Sequence, residues 1–255
     1  MIIIISSGIV TRLIITPVDY YLIDHLDCSA ADYSVYKTLH KLPWSLKVVC
    51  GIISDSIPIA GYRRKPWLII GWIGFVIFNL LLVKIGDPSI TQTIVLVFLL
   101  TCFLVLADVC TDTLCVERAA FEPEAVRGNL QNVGFIYRSL GKIIGAVMGA
   151  FLYDNGTRYS MDIGQIFLLD AVVPIVSMTF CSWPLLELVG THLVPTFSEQ
   201  MKEVWRLLQL KAVWYPMIFI YTYGILQVPN QAWKNYLVYG LGFNDAQLGE
   251  ICHYH

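Results

Sequence analysis

Four charged side chains lie inside runs that are otherwise apolar: Asp108, Asp112, Arg138 and Lys142. Asp108 and Asp112 are four apart and so share one face of a helix, with Cys115 and Glu117 following. Arg138 and Lys142 repeat that spacing on a face shared with Gly141, Gly145 and Gly149. Charge inside a membrane helix is expensive and marks function by default. Lys142, with Arg138, would attract an anionic solute such as a carboxylate. Asp108 or Asp112 would titrate and couple movement to protons. The alternative is a structural ion-pair network that locks helices together. Depth favours pairing of Asp108 with Arg138. At 1.5 Å per residue, Asp108 lies roughly 12 Å inside the end of its helix and Arg138 roughly 10 Å inside the next.

Two further groups invite chemistry. Gly51 and Asp55 sit one turn apart at the end of an apolar helix, and Arg63, Arg64 and Lys65 lead into the next. Near the other end of the chain, Gln227, Asn230 or Gln231 and Lys234 recur at helical spacing, with Trp233 and Tyr236 interleaved. Amides beside aromatics suit a flat heterocycle that needs stacking and in-plane hydrogen bonds. An aromatic belt at a membrane interface would look the same.

The elements that hold these residues are membrane helices. The chain of 255 residues is 56% hydrophobic and 14% charged, against about 25% charged in soluble domains. Pro66–Val83, Pro88–Ala107 and Ala212–Trp233 contain no charged residue, and roughly 20 apolar residues cross a bilayer. Seven spans are expected, over residues 2–23, 33–54, 66–83, 90–116, 131–153, 164–186 and 212–239. Arg12 and Pro17 make the first imperfect. Either Arg12 faces an interior or cavity, or residues 1–12 are the remnant of a longer helix. Lys37 and Lys41 share a face of the second span, with Lys47 deeper. A polar connection over 187–211 includes an amphipathic piece at Glu199–Leu210, expected on the membrane surface. Basic residues collect in alternate loops: Arg63, Arg64 and Lys65; Arg118 and Arg127; Lys202, Arg206 and Lys211. Those loops are therefore expected to be cytoplasmic.

Net charge is −2, which gives no reason to expect nucleic acid binding. Seven scattered cysteines without a C-x-x-C pair form neither a disulfide framework nor a metal site. No nucleophile–base pair or phosphate loop suggests an enzyme, and no cofactor is expected.

Several strings together resemble the folate–biopterin transporter family of major facilitator proteins. They are Tyr20-Tyr21-Leu22-x-Asp24, LPWSLK…GIISDSIPIAGYRRKPW, Asp108-x-x-x-Asp112…Val116-Glu117-Arg118, QVPNQAW and LGFNDAQLG. The resemblance implies an all-α bundle of two six-helix halves with a substrate site between them at mid-membrane. The chain would supply a first half over 1–186, a cytoplasmic connection over 187–211, and helix 7 with the start of the second half over 212–255. It would then be an N-terminal fragment of the complete fold. The resemblance also implies import of folates or reduced pterins driven by a proton gradient, and the plasma membrane is expected rather than an organelle. S-adenosylmethionine or a nucleoside derivative is the alternative solute, and a non-transporting fragment the alternative role. Carried over by position, Asp55 with Arg63 or Arg64 would form a cytoplasmic latch beside Gly51. Arg138, Lys142, Gln227, Asn230, Gln231 and Trp233 are the candidate substrate contacts. Asp108, Asp112 and Arg138 are the candidates for proton coupling or an ion-pair network.

Overall fold

In the computed structural model, residues 1–59, 61–62, 64–153, 161–181 and 197–226 are described. They form ten α-helices in two units, Met1–Phe197 and Ser198–His255. Four stretches are long and apolar enough to cross a membrane: Ile2–Ile23, Lys65–Ile85, Ile90–Ala119 and Asn129–Tyr153, with Ile163–Thr179 shorter and equally apolar.

The first span is not one regular helix. It divides into α1 (Ile2–Leu13), α2 (Ile15–Tyr20) and a π-helical turn over Tyr21–His25. Pro17 has no N–H to offer the Leu13 carbonyl, and α1 ends there. The second span, expected to be continuous over 33–54, is also broken. α3 runs Ala30–Ser45 and α4 runs Lys47–Ser56, with Leu46 out of helical geometry between them (φ −91°, ψ 10°). Pro43 in the last turn of α3 leaves the Leu39 carbonyl without its partner, which weakens the helix just before the break. Ser29 caps α3 by accepting from the Asp32 N–H at 3.2 Å.

The longer spans start and stop as their sequences dictate. α5 (Lys65–Ile85) carries Pro66 in its first turn, where a missing N–H costs nothing, and ends at Gly86 with φ 76°. α6 (Ile90–Ala119) opens on a reciprocal capping box between Ser89 and Gln92. α7 (Asn129–Tyr153) is capped from a distance: the Glu122 carboxylate accepts from the Gly128 and Leu130 N–H groups, each at 2.8 Å. That anion sits at the positive end of the helix dipole. α8 spans Ile163–Cys181 with Pro174 inside it.

Packing in this unit runs α7 against α1, α1 against α8, α8 against α5, and α5 against α6; α3 and α4 lie against α6. Val10, Leu13, Phe75, Leu100, Leu104 and Phe167 are among the buried apolar side chains that fill it. The α1–α7 contact is made by backbone. A Cβ placed on Gly141, Gly145 or Gly149 would strike the Ile5, Ile9 or Leu13 carbonyl in turn, and one on Gly8 would strike the Arg138 carbonyl. The matches rise together along both helices, so α1 and α7 run parallel, in the small-residue contact typical of membrane helices.

The other unit holds α9 (Phe197–Leu208) and α10 (Lys211–Leu226). α9 is amphipathic, with Val204 and Leu208 one turn apart and Lys202, Glu203 and Arg206 among the charged positions. α10 is apolar along its length and contains Pro216.

Candidate functional site

The site is built around α6. Asp108 faces inward and is nearly sealed, its side chain 3% exposed, whereas Asp112, one turn further, is 37% exposed. The break at Leu46 makes Lys47 the first residue of α4 and brings its ammonium between the two carboxylates: 2.8 Å from Asp108 Oδ2 and 2.6 Å from Asp112 Oδ2. From the opposite side, Arg138 of α7 places Nη2 3.0 Å from Asp108 Oδ1 and also against Asp112 Oδ1. Ser7 of α1 donates its hydroxyl to Asp108 Oδ1 at 3.2 Å. Two anions and two cations therefore close a ring that ties α1, α4, α6 and α7 together. Its formal charge is zero, which offsets much of the cost of burying each member. A groove of about 260 Å³ opens beside it, lined by Ile4, Asp112, Cys115, Gly134, Phe135 and Arg138.

The expected pair Asp108–Arg138 forms, but within a ring of four. Lys47 was not among the candidates. A lone lysine near the middle of a supposedly continuous helix gave no sign of its partner, and the break that aims it followed only from the structure. Lys142 lies one turn beyond Arg138, half-buried, and makes no ion pair among the described residues. Arg12 is close enough to Lys142 to repel it. It is exposed on the surface of this unit, not in its interior, and likewise makes no ion pair among the described residues. Two uncompensated cations thus stand beside a neutral ring.

A second cluster closes the basic end of the bundle. Arg64 is buried, with Nη2 2.9 Å and Nε 3.0 Å from Asp55 Oδ1, and Nη1 against the Glu117 carboxylate at the end of α6. The guanidinium therefore joins α4, α5 and α6 at one point. Gly51 sits one turn before Asp55 and faces Val109 of α6 at ordinary contact distance. Glu117 is an addition to the expected latch; a single acid near a helix end is too common to stand out in a sequence. Arg63 lies outside the described residues, as do Gln227, Asn230, Gln231 and Trp233. At the opposite end, Lys37 pairs with Asp19 at 2.6 Å and lies over the rings of Tyr33 and Tyr36.

Apolar helices of spanning length that bury a ring of charge define a multi-pass integral membrane protein. Comparison with known proteins makes this specific. A model of the BT1 family matches residues 7–231, and the chain belongs to that family. It is 29% identical over 242 residues to the folate-biopterin transporter of Synechocystis sp., covering 92% of this chain and 46% of that protein. It is 30% identical over 170 residues to the probable folate-biopterin transporter 4 of Arabidopsis thaliana, covering 66% of this chain and 33% of that one. Folate transporter 1 of Plasmodium falciparum is 26% identical over 204 residues, or 79% and 39% of the two chains. The chain thus spans half or less of the length of these relatives. No solved structure matches.

Proposed function

We propose that the chain is the first half, with the start of the second, of a membrane carrier for folates or pterins that works by alternating access with proton coupling. The observation that supports this best is the Lys47–Asp108–Asp112–Arg138 ring, sealed at Asp108, with Lys142 beside it making no ion pair among the described residues; the relatives named for folate and biopterin transport point to the solute. In this reading residues 1–186 form the first six-helix half, 187–211 the cytoplasmic connection, and 212–255 helix 7 and the beginning of the partner half. Lys142 receives a carboxylate of the solute, and Arg138 joins it when the ring loosens. Gln227, Asn230, Gln231 and Trp233 supply stacking and amide contacts to the pterin ring. Asp108 and Asp112 exchange partners or protons as the bundle rocks. The plasma membrane is the proposed location, with protons, the solute and lipid as partners.

The test is uptake of labelled folate and biopterin into proteoliposomes containing the chain, with and without an inward proton gradient. Gradient-stimulated uptake of either compound is the expected result. Uptake indifferent to the gradient removes the coupling, and none under any condition shows that these 255 residues do not transport by themselves.

Two substitutions examine the parts. A charged hydrogen bond contributes about 1.5–3 kcal/mol, so Lys142→Gln is expected to weaken folate binding roughly ten- to hundred-fold. Binding of a neutral pterin should hardly change, and equal loss of both would assign Lys142 to structure. At the gate, Asp55→Asn removes an ion pair at the bundle's edge, which contributes about 1 kcal/mol. Transport should then slow about five-fold while equilibrium binding persists. Unchanged turnover in that variant would remove the latch.

A further inference from the structure

Asp170 sits in the middle of α8 and is completely buried, with 0% of its surface exposed. It belongs to neither cluster described above. The side chain beside it is Asn79 of α5, also 0% exposed. Helices α5 and α8 pack against each other, and Ile69, Trp72 and Val76 of one line a groove with Pro174, Ile175 and Met178 of the other. Asn79 and Asp170 meet within this contact. Among the described residues no charged side chain of α1, α2, α5 or α7, the helices packed on α8, makes an ion pair with it: Arg12 of α1 is exposed, Asp19 of α2 pairs with Lys37, Arg138 of α7 pairs with Asp108 and Asp112, Lys142 lies one turn beyond Arg138, and Lys65 and Lys84 are at the two ends of α5.

The hydrogen bonds do not close around an ionised Asp170. Among the described residues neither buried carboxyl oxygen has a well-formed hydrogen bond, the Asn79 amide being the polar group beside them, and Asn79 Oδ1 is likewise without a partner. The Asn79 amide donates to the Phe75 carbonyl at 3.2 Å. Rotating that amide to offer a donor elsewhere would put Oδ1 against the Phe75 oxygen, acceptor against acceptor. Three acceptors thus share at most one spare N–H, and no cation among the described residues pairs with them. An isolated carboxylate in such surroundings costs many kcal/mol and takes up a proton instead. The proton supplies the missing donor, and the neutral acid can hydrogen-bond to the amide.

We propose that Asp170 is a proton-binding site between α5 and α8, held as the neutral acid against Asn79, and the group that gains and loses a proton during the transport cycle. The second part rests on the proton-coupled reading above; the first does not. Asp108 and Asp112 each face the two cations of the ring, Lys47 and Arg138. Asp170 differs from them in having no compensating charge among the described residues, so opening the α5–α8 contact to water would release its proton and closing it would recapture one.

Infrared spectroscopy of the full chain in lipid nanodiscs separates protonated carboxylic acids from carboxylates. At neutral pH a protonated-acid carbonyl band is expected, and it should vanish in Asp170→Asn, which preserves shape and hydrogen-bonding capacity. Absence of the band, or its persistence in the variant, overturns the site. Asp170→Ser, with helix content followed by circular dichroism, repeats the measurement should the asparagine variant fold poorly. In proteoliposomes Asp170→Asn is expected to keep solute exchange and to lose its stimulation by a proton gradient. Stimulation that survives the substitution removes Asp170 from the cycle. If the unsubstituted chain shows exchange but no stimulation, the coupled reading fails and the infrared band alone decides whether Asp170 binds a proton.

Discussion

Replacing Asp108 by asparagine is expected to lower the melting temperature of the purified chain by about 6–12 °C. The figure follows from the ring. Asp108 is the most buried of its four members and touches both cations and Ser7. Its loss leaves Lys47 and Arg138 sharing Asp112 alone, with one positive charge uncompensated. Breaking a buried ion pair from one side costs about 3–5 kcal/mol. Lys47 is a third exposed, which places the effect near 3 kcal/mol, and each kcal/mol moves a domain of this size by about 2–4 °C. Neutralising a cation as well restores the balance. The double variant Asp108→Asn with Lys47→Gln should therefore melt above the single one, although it has lost more contacts. A double variant that melts at the sum of two separate losses would show that the members act independently, and no shift at all in Asp108→Asn would dismiss the ring as a stabilising element.

The second large effect is steric. Gly145→Leu is expected to abolish the packed bundle or to lower its melting temperature at least as far as Asp108→Asn does. Even a Cβ there collides with the Ile9 carbonyl, and a backbone oxygen cannot rotate aside as a side chain can. Overpacking in a well-filled core typically costs about 1–3 kcal/mol, and here the remedy is separation of α1 from α7 along much of their length. That separation would also pull Arg138 away from α6, so the stability and the ring should fail together. Gly134→Ala on the same helix is the control. Its new methyl would meet Ile4 Cδ1 at 3.5 Å and Cys115 Sγ at 3.7 Å, ordinary contacts, and should be tolerated. Equal behaviour of the two positions would mean that the glycine contact does not set the distance between the helices.

Much of the bundle was readable from one-dimensional pattern, because length and absence of charge mark a membrane helix almost unaided. α5, α6 and α7 begin and end within a few residues of the expected bounds. The interruptions at Ile14 and Leu46 were less visible. A proline announces a disturbance but not the residue at which the helix stops, which depends on how neighbours re-satisfy the freed carbonyls. The site was legible where two charges stood at one depth on adjacent helices, as with Asp108 and Arg138. It was illegible where position depended on a break, as with Lys47, or on a helix met from the far side, as with Glu117. Asp170 stands in the sequence as a single acid amid Leu168, Leu169, Val172 and Val173; without knowledge of its neighbours a lone carboxylate has no partner to suggest.

The neutrality of the ring has an electrical consequence. Since Lys47, Asp108, Asp112 and Arg138 cancel, the charge that would shift with a rocking half includes that of Arg12 and Lys142, both positive. Carrying one elementary charge through a full 100 mV takes about 2.3 kcal/mol. A solute bearing two carboxylates would neutralise both cations and travel through the field almost without work, whereas the empty protein would return with its charge exposed to it. Membrane voltage would then govern how fast the unloaded protein resets, and the same two side chains that attract an anion would make its carrier a voltage-sensing device on the way back.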